Sequence, residues 1–246
     1  MNVVVVGASS GIGREVARVF ACEGHTIVCS ARDKKELTEL VSDLEIQYGC
    51  SAYGIPVDIT ERSSIRNFFE KIDEHFATID CVVVTAAIMP SYEIPYHDEK
   101  CLLTTTMTNY TGIALFLNEV SRRMACNNSG IIICLSSVAG DRGRRSNFIY
   151  GASKSALNTY LQGLRMEMYR HNVRVVTVLP GYVDTPMSYG KVERRYAVSP
   201  HYVAEKIYKL TRGNRNIVYI PPIWWLIMRV IRLIPEAVFK KLGSIF

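Results

Sequence analysis

NVVVVGASSGIGREVARVFAC, residues 2–22, changes its hydrophobic pattern twice in one short run. Val3 to Val6 are uninterrupted β-branched residues, the signature of a strand buried on both faces. Gly7, Gly11 and Gly13 then break the run, and Arg14 to Cys22 continues with apolar residues at helical spacing. A strand, a Gly-rich turn and a helix together make a phosphate-binding device. The glycines let the backbone approach a pyrophosphate, and the helix N-terminus offers unpaired N–H groups and positive potential. Gly7, Ser9, Ser10, Gly11, Ile12 and Gly13 are therefore candidate contacts to a dinucleotide.

The same alternation continues along the chain. Thr26 to Ser30 reads as a second strand, and Asp33 with Glu36 forms a capping-box pattern opening a helix to about Tyr48. The end of the second strand sets ribose selectivity: an acidic residue there binds the 2′-hydroxyl, and a basic one accommodates a 2′-phosphate. Here Ala31 is neutral and Arg32 basic, so NADP(H) is expected in preference to NAD(H), with NAD(H) still allowed. A third strand is expected over 52–57, then Asp58-Ile59-Thr60. Asp58 either bonds an adenine amino group or caps a helix over 61–75; Ile59 stands beside it as a further cofactor contact. A fourth strand over 79–85 ends at Ala86, whose small side chain lets a cofactor come close. Residues 89–100 form a loop with two prolines, and 101–126 read as one long helix. Asn109 falls in its apolar middle, where a polar amide needs a partner. Further strands are expected over 131–135, 173–179 and 216–220, with a helix over 201–212. Pro180, Gly181, Val183 and Thr185 open a long irregular loop at a strand end, a usual place for a lid or binding loop. Strands alternating with helices throughout predict an α/β fold: one doubly wound Rossmann-type domain over 1–220 with a mainly parallel sheet, and a helical tail over 221–246.

The chemistry points to SSVAGDRGRRSNFIYGASK, residues 136–154. It follows the fifth strand and ends with Tyr150 and Lys154, four apart at the start of a helical pattern running to about His171. That spacing puts both on one helix face, about 5–6 Å apart. A lysine ammonium beside a phenol favours the phenolate, so the Tyr150 pKa is expected below its ordinary value of about 10. Such a phenol can act as a general acid or base. The same spacing at Tyr96/Lys100 and Tyr202/Lys206 reads as solvated helix surface; only Tyr150/Lys154 follows a strand, a serine pair and a loop.

Composition bounds the remainder. The 246 residues are 48% hydrophobic with a net charge of +6, enough for one large core and a mild preference for anionic partners. No nucleic-acid reader motif occurs, so nucleic acid is not an expected partner. The seven cysteines include no C-x-x-C pair, which suits reduced thiols in a cytoplasmic setting and no metal site. No secretory signal pattern precedes the first strand, and no apolar run is long enough to span a bilayer. The tail, PPIWWLIMRVIRLIP over 221–235, is apolar with two Trp, Arg229 and Arg232, and Lys240 and Lys241 follow. It suits a helix lying in a membrane interface, which would make the protein peripheral on the cytoplasmic face. An oligomer contact or a cap over the substrate pocket is the other reading.

In this order, Gly7, Gly11, Gly13, Asp58, Asn109, Ser137, Tyr150, Lys154 and the Pro180-Gly181 segment with Thr185 resemble the short-chain dehydrogenase/reductase superfamily over nearly the whole length. The resemblance implies a homo-oligomeric oxidoreductase with Asn109, Ser137, Tyr150 and Lys154 as its catalytic set. Tyr150 would protonate a carbonyl oxygen as hydride arrives, and Lys154 would tune the phenol and hold the nicotinamide ribose. Ser137 would orient the carbonyl, and Asn109 would hold a water. Two positions depart from the family pattern: Val84-Thr85-Ala86-Ala87 after the fourth strand, and Val6 before the first glycine. The run SSVAGDRGRRSNFIYG with the basic apolar tail further resembles the decaprenylphosphoryl-2-keto-erythro-pentose reductases, which work beside a separate oxidase. That likeness implies a polyprenyl-phosphate-linked keto-sugar as substrate; the superfamily resemblance and the tail also suit another lipidic ketone (ketoacyl, sterol or long-chain base), and a non-catalytic NADP-binding regulator is the remaining reading. Arg142, Arg144 and Arg145 would face the phosphate or sugar of the keto-sugar substrate.

Overall fold

The computed structural model describes residues 1–90, 98–188 and 194–242. Seven strands form one sheet in the order β3-β2-β1-β4-β5-β6-β7, and every pairing is parallel. They are β1 Asn2–Val6, β2 Thr26–Ser30, β3 Ala52–Gly54, β4 Cys81–Val84, β5 Gly130–Leu135, β6 Val173–Pro180 and β7 Ile217–Ile220. The order reverses between β1 and β4, which opens a crevice beyond their C-terminal ends.

The β1 valines show why the sheet is covered on both sides. Successive strand side chains point to opposite faces. Val3 and Val5 join one core with α1 (Gly11–Cys22), α2 (Lys34–Tyr48) and α7 (Pro200–Leu210). Val4 and Val6 join the other with α3 (Arg62–His75), α5 (Gly112–Asn127) and α6 (Phe148–Tyr169). All four are at most 1% exposed, and burying each contributes about 1.5–3 kcal/mol. The doubly wound architecture expected from the sequence is thus present.

Where the elements depart from expectation, three departures have a local reason. β3 stops at Gly54 rather than residue 57: Pro56 has no N–H for a ladder, although Ile55 N and Val57 N still bond to Cys29 O and Ala31 O. Asp33 caps α2 by accepting from the N–H groups of Lys35 and Glu36, whereas Asp58 is not the cap of α3; Glu61 holds that position. The expected helix over 101–126 is divided. α4 (Glu99–Thr106) passes through a single π turn, Met107–Thr111, into α5, and Asn109 lies in that turn.

The tail forms α8 (Ile223–Leu233) and α9 (Glu236–Phe239). The inner side of α8 is part of the core: Met228 and Ile231 are buried against Val138 and Leu179. Trp224 lies against Gly181, where a Cβ would sit 1.8 Å from the indole nitrogen, so only glycine fits there. Tyr96 and residues 189–193 of the irregular loop lie outside the described residues, as do 243–246 of the tail.

Candidate active site

Ser137 ends the run from β5, its hydroxyl accepting a hydrogen bond from Ala139 N to open a short 3-10 turn, Val138–Gly140. That turn packs on the first turns of α6, which carry Tyr150 and Lys154. Lys154 is 1% exposed and its Nζ donates to Leu135 O at 3.1 Å; the Ser136 hydroxyl donates to Lys154 O at 3.2 Å. The Nζ stands 5.9 Å from the Tyr150 ring centroid. Sequence spacing thus placed the pair on one helix face correctly.

The electrostatic expectation was wrong in sign. Burial pushes the Tyr150 phenol up to about 12, with the hydrogen bond to the Ser137 side chain opposing the shift. Burial also brings the Lys154 ammonium down to about 8. Both charged forms lose solvation, and the ammonium is bonded to a backbone carbonyl rather than to the phenol. The phenol is therefore held as a loaded proton donor, with a hydroxyl beside it.

Asn109 is fully buried and stands behind these residues rather than on the cleft wall. Its Oδ1 accepts from Ile88 N at 2.8 Å, and its Nδ2 donates to Ile88 O at 2.8 Å and Ser153 Oγ at 3.1 Å. Ser153 in turn donates to Tyr150 O at 2.7 Å. The amide therefore ties the segment after β4 to the helix turn carrying Tyr150. π turns recur where a helix must redirect one side chain at a functional site.

A cleft of about 760 Å³ runs along the strand ends. Gly7, Ser9, Ser10, Gly11, Ile12 and Gly13 line it, as do Arg32, Asp58, Ile59 and Ala86. Ser137, Tyr150, Lys154, Pro180, Gly181 and Val183 line the same cleft, and Thr185 does so against Gly11. Residues far apart in sequence are thus gathered on one surface. Gly7 has φ +88°, and a Cβ on Gly13 would sit 2.0 Å from Gly7 O, so the turn is as tight as a pyrophosphate cradle requires. The fit to a dinucleotide rests on this cradle and on the volume of the cleft. The Asp58 carboxylate accepts from the Thr60 N–H at 2.9 Å and Thr60 hydroxyl at 2.6 Å, which fixes it at the cleft wall.

Sequence reasoning missed several residues. Thr85, one of the departures from the family pattern, donates its hydroxyl toward Val6 O at 2.9 Å and Gly7 O at 3.1 Å, locking β4 to the glycine turn. Asn147, Tyr182 and Met187 also line the cleft. Tyr182 could have been found by its place directly after Pro180-Gly181; Asn147 carried no signal of its own.

The three arginines separate. Arg144 lines the cleft, and Arg145 is exposed. Arg142 does not face a substrate, contrary to expectation. Its guanidinium donates to the carbonyls of Ile231, Arg232 and Ile234 at 3.0, 3.1 and 2.7 Å. It also pairs with Glu236 at 3.0 Å and lies 4.0 Å over the Phe239 ring. The last carbonyls of a helix have no intrahelical partner, and a cation there also meets the negative end of the dipole. Arg142→Ala is expected to lower unfolding free energy by about 2–3 kcal/mol. Arg142→Lys should recover only part of this, since one ammonium cannot reach the helix-end carbonyls and Glu236 together as the two guanidinium nitrogens do. Urea denaturation of the three proteins checks it, and an unchanged midpoint in Arg142→Ala overturns it.

A family model described as short chain dehydrogenase matches residues 1–195. An uncharacterized oxidoreductase of Staphylococcus saprophyticus is 33% identical over 226 residues, covering 89% of this chain and 96% of its own. Among solved structures, a short-chain dehydrogenase of Burkholderia cenocepacia in complex with NADP matches with TM-score 0.84 at 21% identity, over 98% of this chain and 96% of that one. One from Sphingobium yanoikuyae in complex with NADPH matches with TM-score 0.82 at 23% identity, over 96% and 97%.

Proposed function

Since this chain belongs to the short-chain dehydrogenases, an oxidoreductase family, we propose that it reduces a ketone to a secondary alcohol with NADPH. We further propose that the ketone is a polyprenyl-phosphate-linked keto-pentose supplied by a separate oxidase. Arg32, exposed at the cleft edge beside Asp58, offers its charge to a 2′-phosphate, and the relatives of the same fold that carry NADP or NADPH support that cofactor. The glycine turn would hold the pyrophosphate. When bound, the reduced nicotinamide supplies a hydride. Ser137 orients the carbonyl oxygen, and Tyr150 delivers the proton as alkoxide charge builds there.

One observation carries the substrate reading. Arg144 and Asn147 line the cleft, and among the described residues Arg144 Nε and Asn147 Oδ1 have no hydrogen-bond partner. Such groups are costly to leave unmet, so both side chains are expected to turn toward a polar substrate in the cleft. An N–H donor and an amide acceptor suit a phosphate or hydroxyl-rich sugar better than an acyl chain or sterol. The test follows NADPH and NADH oxidation with the polyprenyl-linked keto-pentose, a ketoacyl thioester and a sterol ketone. The keto-pentose with NADPH is expected to exceed the others in kcat/KM by about 10²-fold or more. Equal or better turnover of a plain lipid ketone overturns the sugar assignment while leaving the reductase reading standing.

A further inference from the structure

We infer that the outward face of α8 is a docking surface for an anionic lipid bilayer, set beside the mouth of the cleft. The inference concerns a surface outside the reduction site and holds whether or not the substrate carries a lipid. A surface helix normally turns charged residues away from the core. In α8 the arc opposite the buried Met228 and Ile231 is instead apolar: Ile223 is 55% exposed, Leu226 53%, Val230 57% and Leu233 82%. At 100° per residue these four form one stripe. Trp225, Arg229 and Arg232 fall along one edge of it, all exposed. The Arg229 guanidinium lies 4.4 Å over the Trp225 ring. Lys240 and Lys241 add exposed positive charge past α9. The one acid in the described tail, Glu236, is paired with Arg142.

An apolar stripe edged by an indole and cations matches the boundary between acyl chains and anionic headgroups. No helix among the described residues is long and apolar enough to cross a membrane, so the contact is interfacial. A second copy of the chain meeting this face would bring another Arg229 and Arg232 and no free acid of the described tail to answer them. Anionic lipid answers the same charges favourably.

The position of the helix connects docking to the site. Trp224 lies against Gly181 and packs edge-on to Tyr182 at 5.3 Å between centroids, and both Gly181 and Tyr182 line the cleft. Met228 and Ile231 share a core with Val138, the neighbour of Ser137. A bilayer on the outer face therefore stands next to the opening through which an amphiphile would enter.

Full-length protein is sedimented with vesicles of phosphatidylglycerol and phosphatidylcholine in equal parts, and with phosphatidylcholine alone, at low salt. Binding to the anionic vesicles is expected to be about tenfold or more tighter than to the neutral ones, with a blue-shifted tryptophan emission. Leu226→Ser/Val230→Ser/Leu233→Ser and Arg229→Gln/Arg232→Gln should each lower it by about tenfold or more while NADPH binding is retained, which shows that they fold. The inference is overturned if the wild-type protein ignores anionic vesicles or if the apolar variant binds them undiminished. It is equally overturned if the wild type is a dimer in sedimentation velocity that the apolar variant renders monomeric without any vesicle binding.

Discussion

Tyr150→Phe should lose about 10³-fold in kcat while binding NADPH with unchanged affinity, because it removes one proton donor and little else. The ring sits in a buried pocket and its hydroxyl faces Ser137, so phenylalanine fills the same volume. The phenol acts only as charge builds on the carbonyl oxygen, so kcat and kcat/KM should fall together and KM should barely move. The pH dependence follows from the raised phenol pKa, pushed up to about 12. Across neutral pH the phenol is protonated, so ketone reduction should not need a basic arm in its profile. Alcohol oxidation needs the phenolate and should rise with pH. NADPH absorbance under saturating ketone measures the first claim, and fluorescence titration the second. Retained turnover in the variant removes Tyr150 from the mechanism.

Much of this site was legible in the sequence because its parts are local. The glycine turn announces itself between a β-branched run and a helical one, and Tyr150/Lys154 lie on adjacent turns of one helix. What stayed hidden depends on contacts across long separations or on burial. The π turn at Asn109 interrupts an apolar pattern that reads as continuous helix; only the position of Ile88 and Ser153 shows why the turn is there. Arg142 reads like Arg144 in sequence, yet its partners lie roughly ninety residues away on the end of α8. The tail was legible as amphipathic, but not which side packs on Val138 and which side faces out. The sign of the Tyr150 shift failed for a related reason. Spacing gives the distance to a charge, whereas desolvation depends on everything packed around it.

That same desolvation makes Lys154 a residue kept at a cost in stability, and Lys154→Met is expected to separate the two roles. The side chain is 1% exposed, and among the described residues its Nζ has one hydrogen bond, to Leu135 O. Burial lowers its pKa from 10.5 to about 8. Between those values the unfolded chain binds more protons than the folded one, so folding stability contributed by this group rises with pH through that window. Below about pH 8 the folded state carries the full cost of a buried ammonium. Methionine matches the length without the charge and leaves only the Leu135 carbonyl less satisfied. At pH 7 the variant should therefore melt at or above the wild-type temperature, and the gap should narrow as pH rises from about 8 toward 9.5. The measurement stops there because the Tyr150 phenol, with its pKa raised from 10 to about 12, brings a slope of the opposite sign at higher pH. Activity moves the other way. Without the ammonium beside the phenol, kcat should fall by about 10²-fold or more. A variant that melts below wild type at pH 7, with a deficit that holds steady up to pH 9.5, would show that the ammonium stabilises the fold in place. One that keeps its turnover would show that Lys154 is structural only.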